Sequence, residues 1–122
     1  MLSADVNCNC FKLVNMLNAT GVSSVLPLAA EVSGAASVTA AYLTPVNVSG
    51  VASTITPPAG SVNVRFALVD SRANSATNNI TVNFSGGGYN LYGSLQNYVM
   101  DQDGAYATFR YLNSSIGWVV EK

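Results

Sequence analysis

Ionic side chains are scarce in this sequence. Charged residues fill 9% of its 122 positions, against about 25% in an ordinary soluble domain. The five basic residues, Lys12, Arg65, Arg72, Arg110 and Lys122, are scattered, and the net charge is −1. Nucleic-acid binding draws its affinity from clustered Lys and Arg, so no nucleic-acid partner is expected. Histidine is absent, which removes the usual general base of serine and cysteine nucleophile systems and the commonest zinc ligand. No apolar run approaches the roughly 18 residues of a membrane helix, so no membrane partner is expected. The first residues lack the basic opening and unbroken apolar stretch of a secretory signal, since Lys12 and Asn15 interrupt them; synthesis and assembly in a cytoplasm is the expectation.

Cysteine is limited to Cys8 and Cys10. One intervening residue strains a mutual disulfide, and the chain offers no other thiol partner. Two reduced thiols acting as small apolar side chains is the simplest reading, with a crosslink between subunits or adventitious metal as alternatives. Among the few acids, Asp101 and Asp103 stand close together in a turn-forming stretch, where a turn role outweighs acid/base chemistry or weak calcium binding. Gly86-Gly87-Gly88 is not followed by the lysine and helix of a phosphate-cradling loop. No catalytic residue, cofactor or metal site is expected, and the chain reads as a non-enzyme.

What the sequence does contain is hydrophobic residues, 49% of the total, in patterns that are mostly β. Cys10, Phe11, Leu13, Val14 and Leu17 keep helical spacing for about two turns before Asn18-Ala19-Thr20-Gly21. A helix that short needs a surface to pack on. Residues 1–31 are therefore expected to form a helical or extended N-terminal arm, with Phe11, Leu13, Val14 and Leu17 as candidate anchoring residues, although a helix capping its own domain fits equally well. Residues 32–122 are expected to form the β-rich head. Loose alternation suggests strands near 36–44 and 51–56, the second stopped by Pro57-Pro58. Val62, Val64, Phe66 and Leu68 then share one face of a strand ending at Asp70, and Ile80, Val82 and Phe84 share one face of the next. Short strands are expected at 89–92 and 97–100. Asp103-Gly104 signals a hairpin, a strand with Ala105, Ala107, Phe109 and Tyr111 on one face follows, and 116–121 closes the fold. The expected fold class is mainly β, a small antiparallel sandwich or barrel-like head.

Several segments together carry a resemblance. Thr54-Ile55-Thr56-Pro57-Pro58-Ala59-Gly60, then Phe66 to Asp70, Asn78-Asn79-Ile80-Thr81-Val82-Asn83, a Gly/Tyr turn, Asp103-Gly104-Ala105 and Gly117-Trp118-Val119-Val120 resemble a recurrent β module of tailed-phage and large-virus virion proteins, found in fibres, spikes and capsid decorations. The likeness spans about residues 54–121. It departs at Phe84 to Leu95, where Gly86-Gly87-Gly88 and Tyr89 replace a polar turn and an isoleucine, and at Gly117, where asparagine is frequent. The resemblance implies a bacteriophage virion structural protein, a capsid decoration or head fibre, commonly a homotrimer, bound to the major capsid protein or another virion protein. Tyr89, Tyr92 and Trp118 are the candidate subunit-interface residues. The alternative is a receptor-binding adhesin of a tail fibre, its Trp118 and tyrosines 89, 92, 98, 106 and 111 forming a platform for host-surface glycans.

Overall fold

The computed structural model describes residues 26–121. The expected arm with Phe11, Leu13, Val14 and Leu17, and both cysteines, lie outside the described residues. Eight strands follow in order: β1 (Ala35–Ser37), β2 (Leu43–Val46), β3 (Ser53–Thr56), β4 (Arg65–Asp70), β5 (Ile80–Val82), β6 (Tyr98–Met100), β7 (Tyr106–Asn113) and β8 (Gly117–Glu121). They form two four-stranded sheets, β1-β3-β5-β6 and β2-β4-β7-β8. The mainly β sandwich is thus as the periodicity suggests, but its pairing is mixed rather than antiparallel throughout. Consecutive strands from β1 to β5 alternate between the sheets, and within each sheet these strands run parallel. The chain winds as a flattened coil before β6, β7 and β8 reverse and close it by antiparallel pairing.

The coil begins before β1. Leu28 and Val32 form parallel bridges to Leu43 and Val46, Ala29 N–H donates to Leu43 O at 2.8 Å, and Val32 N–H donates to Pro45 O at 3.0 Å. Residues 28–31, assigned to the arm from sequence, thus belong to the β body. Glu31 fixes this segment further. Its carboxylate accepts Arg72 Nε at 3.0 Å and Arg72 Nη2 at 2.8 Å, and it also accepts the Ser71 hydroxyl. The Arg72 hydrogen bonds, helped by Ser71, hold the Glu31 carboxyl at about 2, well below its ordinary range.

Backbone sign changes explain where the expected strands fail. A single strand over 36–44 is interrupted at Ala41, whose φ of 68° turns the chain from one sheet to the other. Asn63 at φ 71° breaks the alternation before β4. Val62 is consequently 67% exposed while Phe66 and Leu68 are fully buried. The stretch 89–92 is not a strand, because Gly88 and Tyr92 both have positive φ and Leu91 contributes only isolated bridges.

Asp103-Gly104 does not make a hairpin, although Gly104 has the left-handed φ of 73° that the signal anticipates. Here β6 pairs with β5 and β7 pairs with β4, so the turn carries the chain across the sandwich. The cause is the end of β4. Asp70 N–H donates to Ala105 O at 2.8 Å, the Asp70 carboxylate accepts Gly104 N–H at 3.0 Å, and the Ser75 hydroxyl donates to Gln102 O. These long-range bonds tie the turn to β4 and outcompete the local fold-back.

The core follows the strand alternation. Ile80, Val82 and Phe84 from one layer meet Phe66, Leu68, Phe109 and Trp118 from the other, all fully buried. The Phe66 and Phe109 rings stack at 4.9 Å, and Trp118 meets Phe66 edge-on at 5.1 Å. Such geometries add to area burial by about 0.5–1.5 kcal/mol per pair.

Gly117 positions Trp118. Its φ is +74°, and an added Cβ would overlap the Asn90 carbonyl oxygen and lie 2.7 Å from the carbonyl carbon. Trp118 N–H donates to that same oxygen at 2.8 Å. Asparagine would tolerate the backbone angle but has a Cβ, so this position requires glycine. Gly117→Ala should therefore cost about 3 kcal/mol, combining left-handed strain with overpacking. A urea midpoint unchanged from the parent would refute this packing.

Candidate binding groove

The strands β4, β7 and β8 bring three charged residues onto the outer face of one sheet. Arg65 lies directly opposite Arg110, and Thr108 lies opposite Glu121. Like charges across a strand pair repel, and Glu121 relieves this by bridging them. Its Oε2 accepts Arg110 Nε at 2.8 Å, and its Oε1 lies 3.5 Å from Arg65 Nε. Arg110 Nη1 also donates to Asn63 Oδ1 at 3.2 Å.

Beside this cluster runs an open groove of about 610 Å³, lined by Arg65, Tyr98, Tyr106, Ala107, Thr108, Arg110, Val120 and Glu121. Tyr98 enters from β6 of the other sheet and rests edge-on against Phe109, ring centroids 5.3 Å apart. Tyr106 is 61% exposed. The Thr108 hydroxyl is 3.5 Å from the Tyr106 hydroxyl. The groove thus offers guanidinium donors, a carboxylate acceptor, hydroxyls and an aromatic face, a set suited to holding a polar ligand.

The residues expected at a subunit interface gather at a different place. Trp118 is fully buried inside its own chain. It therefore presents no surface to another subunit or to a sugar. Tyr89 is half-buried against Trp118 at 6.5 Å between rings, and its hydroxyl accepts Gly60 N–H at 3.0 Å. Tyr92 is exposed, but its hydroxyl accepts Val120 N–H at 3.0 Å and lies 3.3 Å from Val120 O. Together with Tyr92 N–H donating to Trp118 O at 3.0 Å, this covers the free edge of β8 as a neighbouring strand would. Of the expected aromatic platform, Tyr111 also packs against the core, and only Tyr98 and Tyr106 reach the groove.

The sequence reasoning missed Arg65, Arg110 and Glu121. Alternation places both arginines on outward positions, but only the sheet order makes them neighbours. The acids singled out from sequence have other tasks: Asp103 Oδ1 accepts Ala76 N–H at 3.0 Å, and Asp101 is exposed. Among the described residues no group of three His, Cys, Asp or Glu side chains is placed to hold a metal. No family model matches the sequence, and no curated protein is similar to it.

Proposed function

We propose that this chain is a non-enzymatic virion structural protein, a capsid decoration or head-fibre subunit of a tailed phage. Its N-terminal residues attach to the shell, to the major capsid protein or another virion protein, and the β body projects and associates with copies of itself, most simply as a trimer.

The observation that carries this reading is the disposition of charge. Each described arginine is matched by a carboxylate of its own chain: Arg72 by Glu31, and both Arg65 and Arg110 by Glu121. The remaining surface is largely Ser, Thr, Asn, Gly and Ala, with exposed apolar side chains such as Leu95, Val62 and Val99. Burying such a surface between subunits desolvates few ions, and apolar area contributes about 25 cal/mol per Å². Association then stabilises the shell by mass action, since the subunit binds only the assembled state. The resemblance over residues 54–121 supports the same setting.

Removing residues 1–25 tests the attachment. The shortened protein is expected to keep its β circular-dichroism signature and to lose cosedimentation with particles of the phage that encodes it. Undiminished cosedimentation would overturn the assignment of attachment to the N-terminal segment.

A further inference from the structure

We infer that the two open edges of the β1-β3-β5-β6 sheet pair with each other between copies of this chain, β6 of one copy against β1 of the next. The inference rests on the association reading above and names the surface that performs it.

The two sheets treat their edges differently. In the β2-β4-β7-β8 sheet both outer strands are closed. Along β2, Leu43 N–H donates to Pro27 O at 2.9 Å and Asn47 N–H donates to Val32 O at 2.7 Å, while Pro45 within the strand has no N–H to offer. Along β8, Trp118 N–H donates to Asn90 O and Val120 N–H donates to the Tyr92 hydroxyl. Covering segments and an edge proline are the usual means by which a sheet is kept from pairing with another chain.

The β1-β3-β5-β6 sheet has no such protection among the described residues. Thr54 N–H donates to Gly34 O at 3.1 Å and Val38 N–H donates to Thr56 O at 3.2 Å. This parallel register commits the backbone groups of Ala36 to β3 and turns those of Ala35 and Ser37 outward. On the far side, Ser53 N–H donates to Asn79 O at 3.0 Å and Asn83 N–H donates to Ile55 O at 2.8 Å. Thr81 therefore faces β3, and Ile80 and Val82 face β6, where their partners are Met100 and Tyr98. Alternation then turns the N–H and C=O of Val99 outward. No hydrogen bond among the described residues uses the outward groups of Ala35, Ser37 or Val99. Neither edge carries a proline, a lysine or a bulge.

A second copy of the chain fits both edges at once. Each edge strand is three residues long and without charge, so pairing sets no like charges opposite one another and desolvates no ion. A contact of β6 with β6 would be isologous, would stop at two copies and would leave β1 open. The contact of β6 with β1 is heterologous, uses both edges of every copy and closes as a ring, as a trimer needs. Val99, 46% exposed, and Leu95 in the approach to β6, 64% exposed, add apolar area beside the backbone bonds.

The test is amide hydrogen exchange of the full chain, read at Ala35, Ser37 and Val99 below and above the concentration at which sedimentation shows association. The three amides should exchange freely in the single chain, and in the associated form Val99 together with Ala35 or Ser37 should slow by about tenfold or more. Val99→Pro removes the outward N–H and leaves the bonds of Tyr98 and Met100 to β5, so it should weaken association about tenfold. Val99→Lys, which keeps the backbone intact at an exposed side chain, should do the same, and it carries the test if the proline variant loses the β circular-dichroism signature. Protection of Val99 without Ala35 or Ser37 would mean that β6 pairs with itself. Protection already present in the single chain would mean that the chain's own N-terminal residues cover the edge. Association with all three amides unprotected, or undiminished in Val99→Lys, would place the contact elsewhere. Each of these results overturns the inference while the association reading stands, whereas a protein that never associates removes both.

Discussion

Trp118→Ala is expected to lower stability by about 4 kcal/mol, within the range for removing a fully buried large aromatic side chain. The side chain is fully buried and is enclosed by Phe66, Tyr111, Phe84 and Tyr89 at ring separations of 5.1, 5.5, 5.8 and 6.5 Å. Because these neighbours come from two strands of one sheet, from the turn after β5 and from the 89–92 loop, the cavity left behind cannot collapse onto one flexible element. Trp118→Phe should behave differently. Among the described residues Trp118 Nε1 has no hydrogen-bond acceptor, and an unpaired buried donor costs about 1–3 kcal/mol. Phenylalanine removes that donor along with part of the ring, so the two effects oppose and the net loss should be about 1 kcal/mol. Urea unfolding with unchanged m-values measures both variants. Equal losses would mean that the indole N–H contributes a favourable bond.

Asp70→Ala should be comparably damaging, about 4 kcal/mol, for an electrostatic reason. Asp70 ends β4 and is only 4% exposed. Its carboxylate accepts four backbone N–H groups: Asn74 and Ser75 at 2.8 Å, Gly104 at 3.0 Å and Arg72 at 3.2 Å. Alanine leaves these donors without their acceptor, and the buried Ser75 cannot turn to water instead. Burial raises the Asp70 pKa, but the hydrogen bonds, led by Gly104 and Ser75, together outweigh it and bring the pKa below the ordinary carboxylate value. A depressed folded-state pKa gives stability that is present above the unfolded value, about 3.9, and is lost as pH falls through the folded one. Asp70→Asn should therefore lose stability at neutral pH and show a shallower decline between neutral pH and the acid limb. Asp101→Asn, at an exposed position, is the control and should stay within about 0.5 kcal/mol of the parent. An Asp70→Asn acid limb as steep as the parent's would contradict this.

The same two residues mark how far the sequence could be followed. Alternation tells which face of a strand is buried, because side-chain direction is local. On that basis Phe66 and Leu68, Ile80, Val82 and Phe84, and Ala107 and Phe109 were legible as core. Alternation does not tell which strand lies alongside. The parallel winding from β1 to β5 is set by pairing between strands distant in sequence, and the crossing at Asp103-Gly104 is held by long-range bonds to Asp70; no local pattern announces either. For the same reason Trp118 was ambiguous between a surface platform and a core ring. Glu121, at the end of β8, offered no sign that it would lie between Arg65 and Arg110, which are distant in sequence and adjacent only in the sheet. The positive φ angles at Ala41, Asn63 and Tyr92 were equally hidden, since none of these positions is a glycine that would have flagged them.

Whether this neutral surface is made for contact between copies is tested most directly by the native mass of the full chain, measured by sedimentation over a range of concentrations at moderate salt. Three times the 12.7 kDa chain mass is the expected result, little altered by added salt because few ions are involved in the contact. A protein that stays at the mass of one chain across that range, soluble and unassociated, would contradict the account.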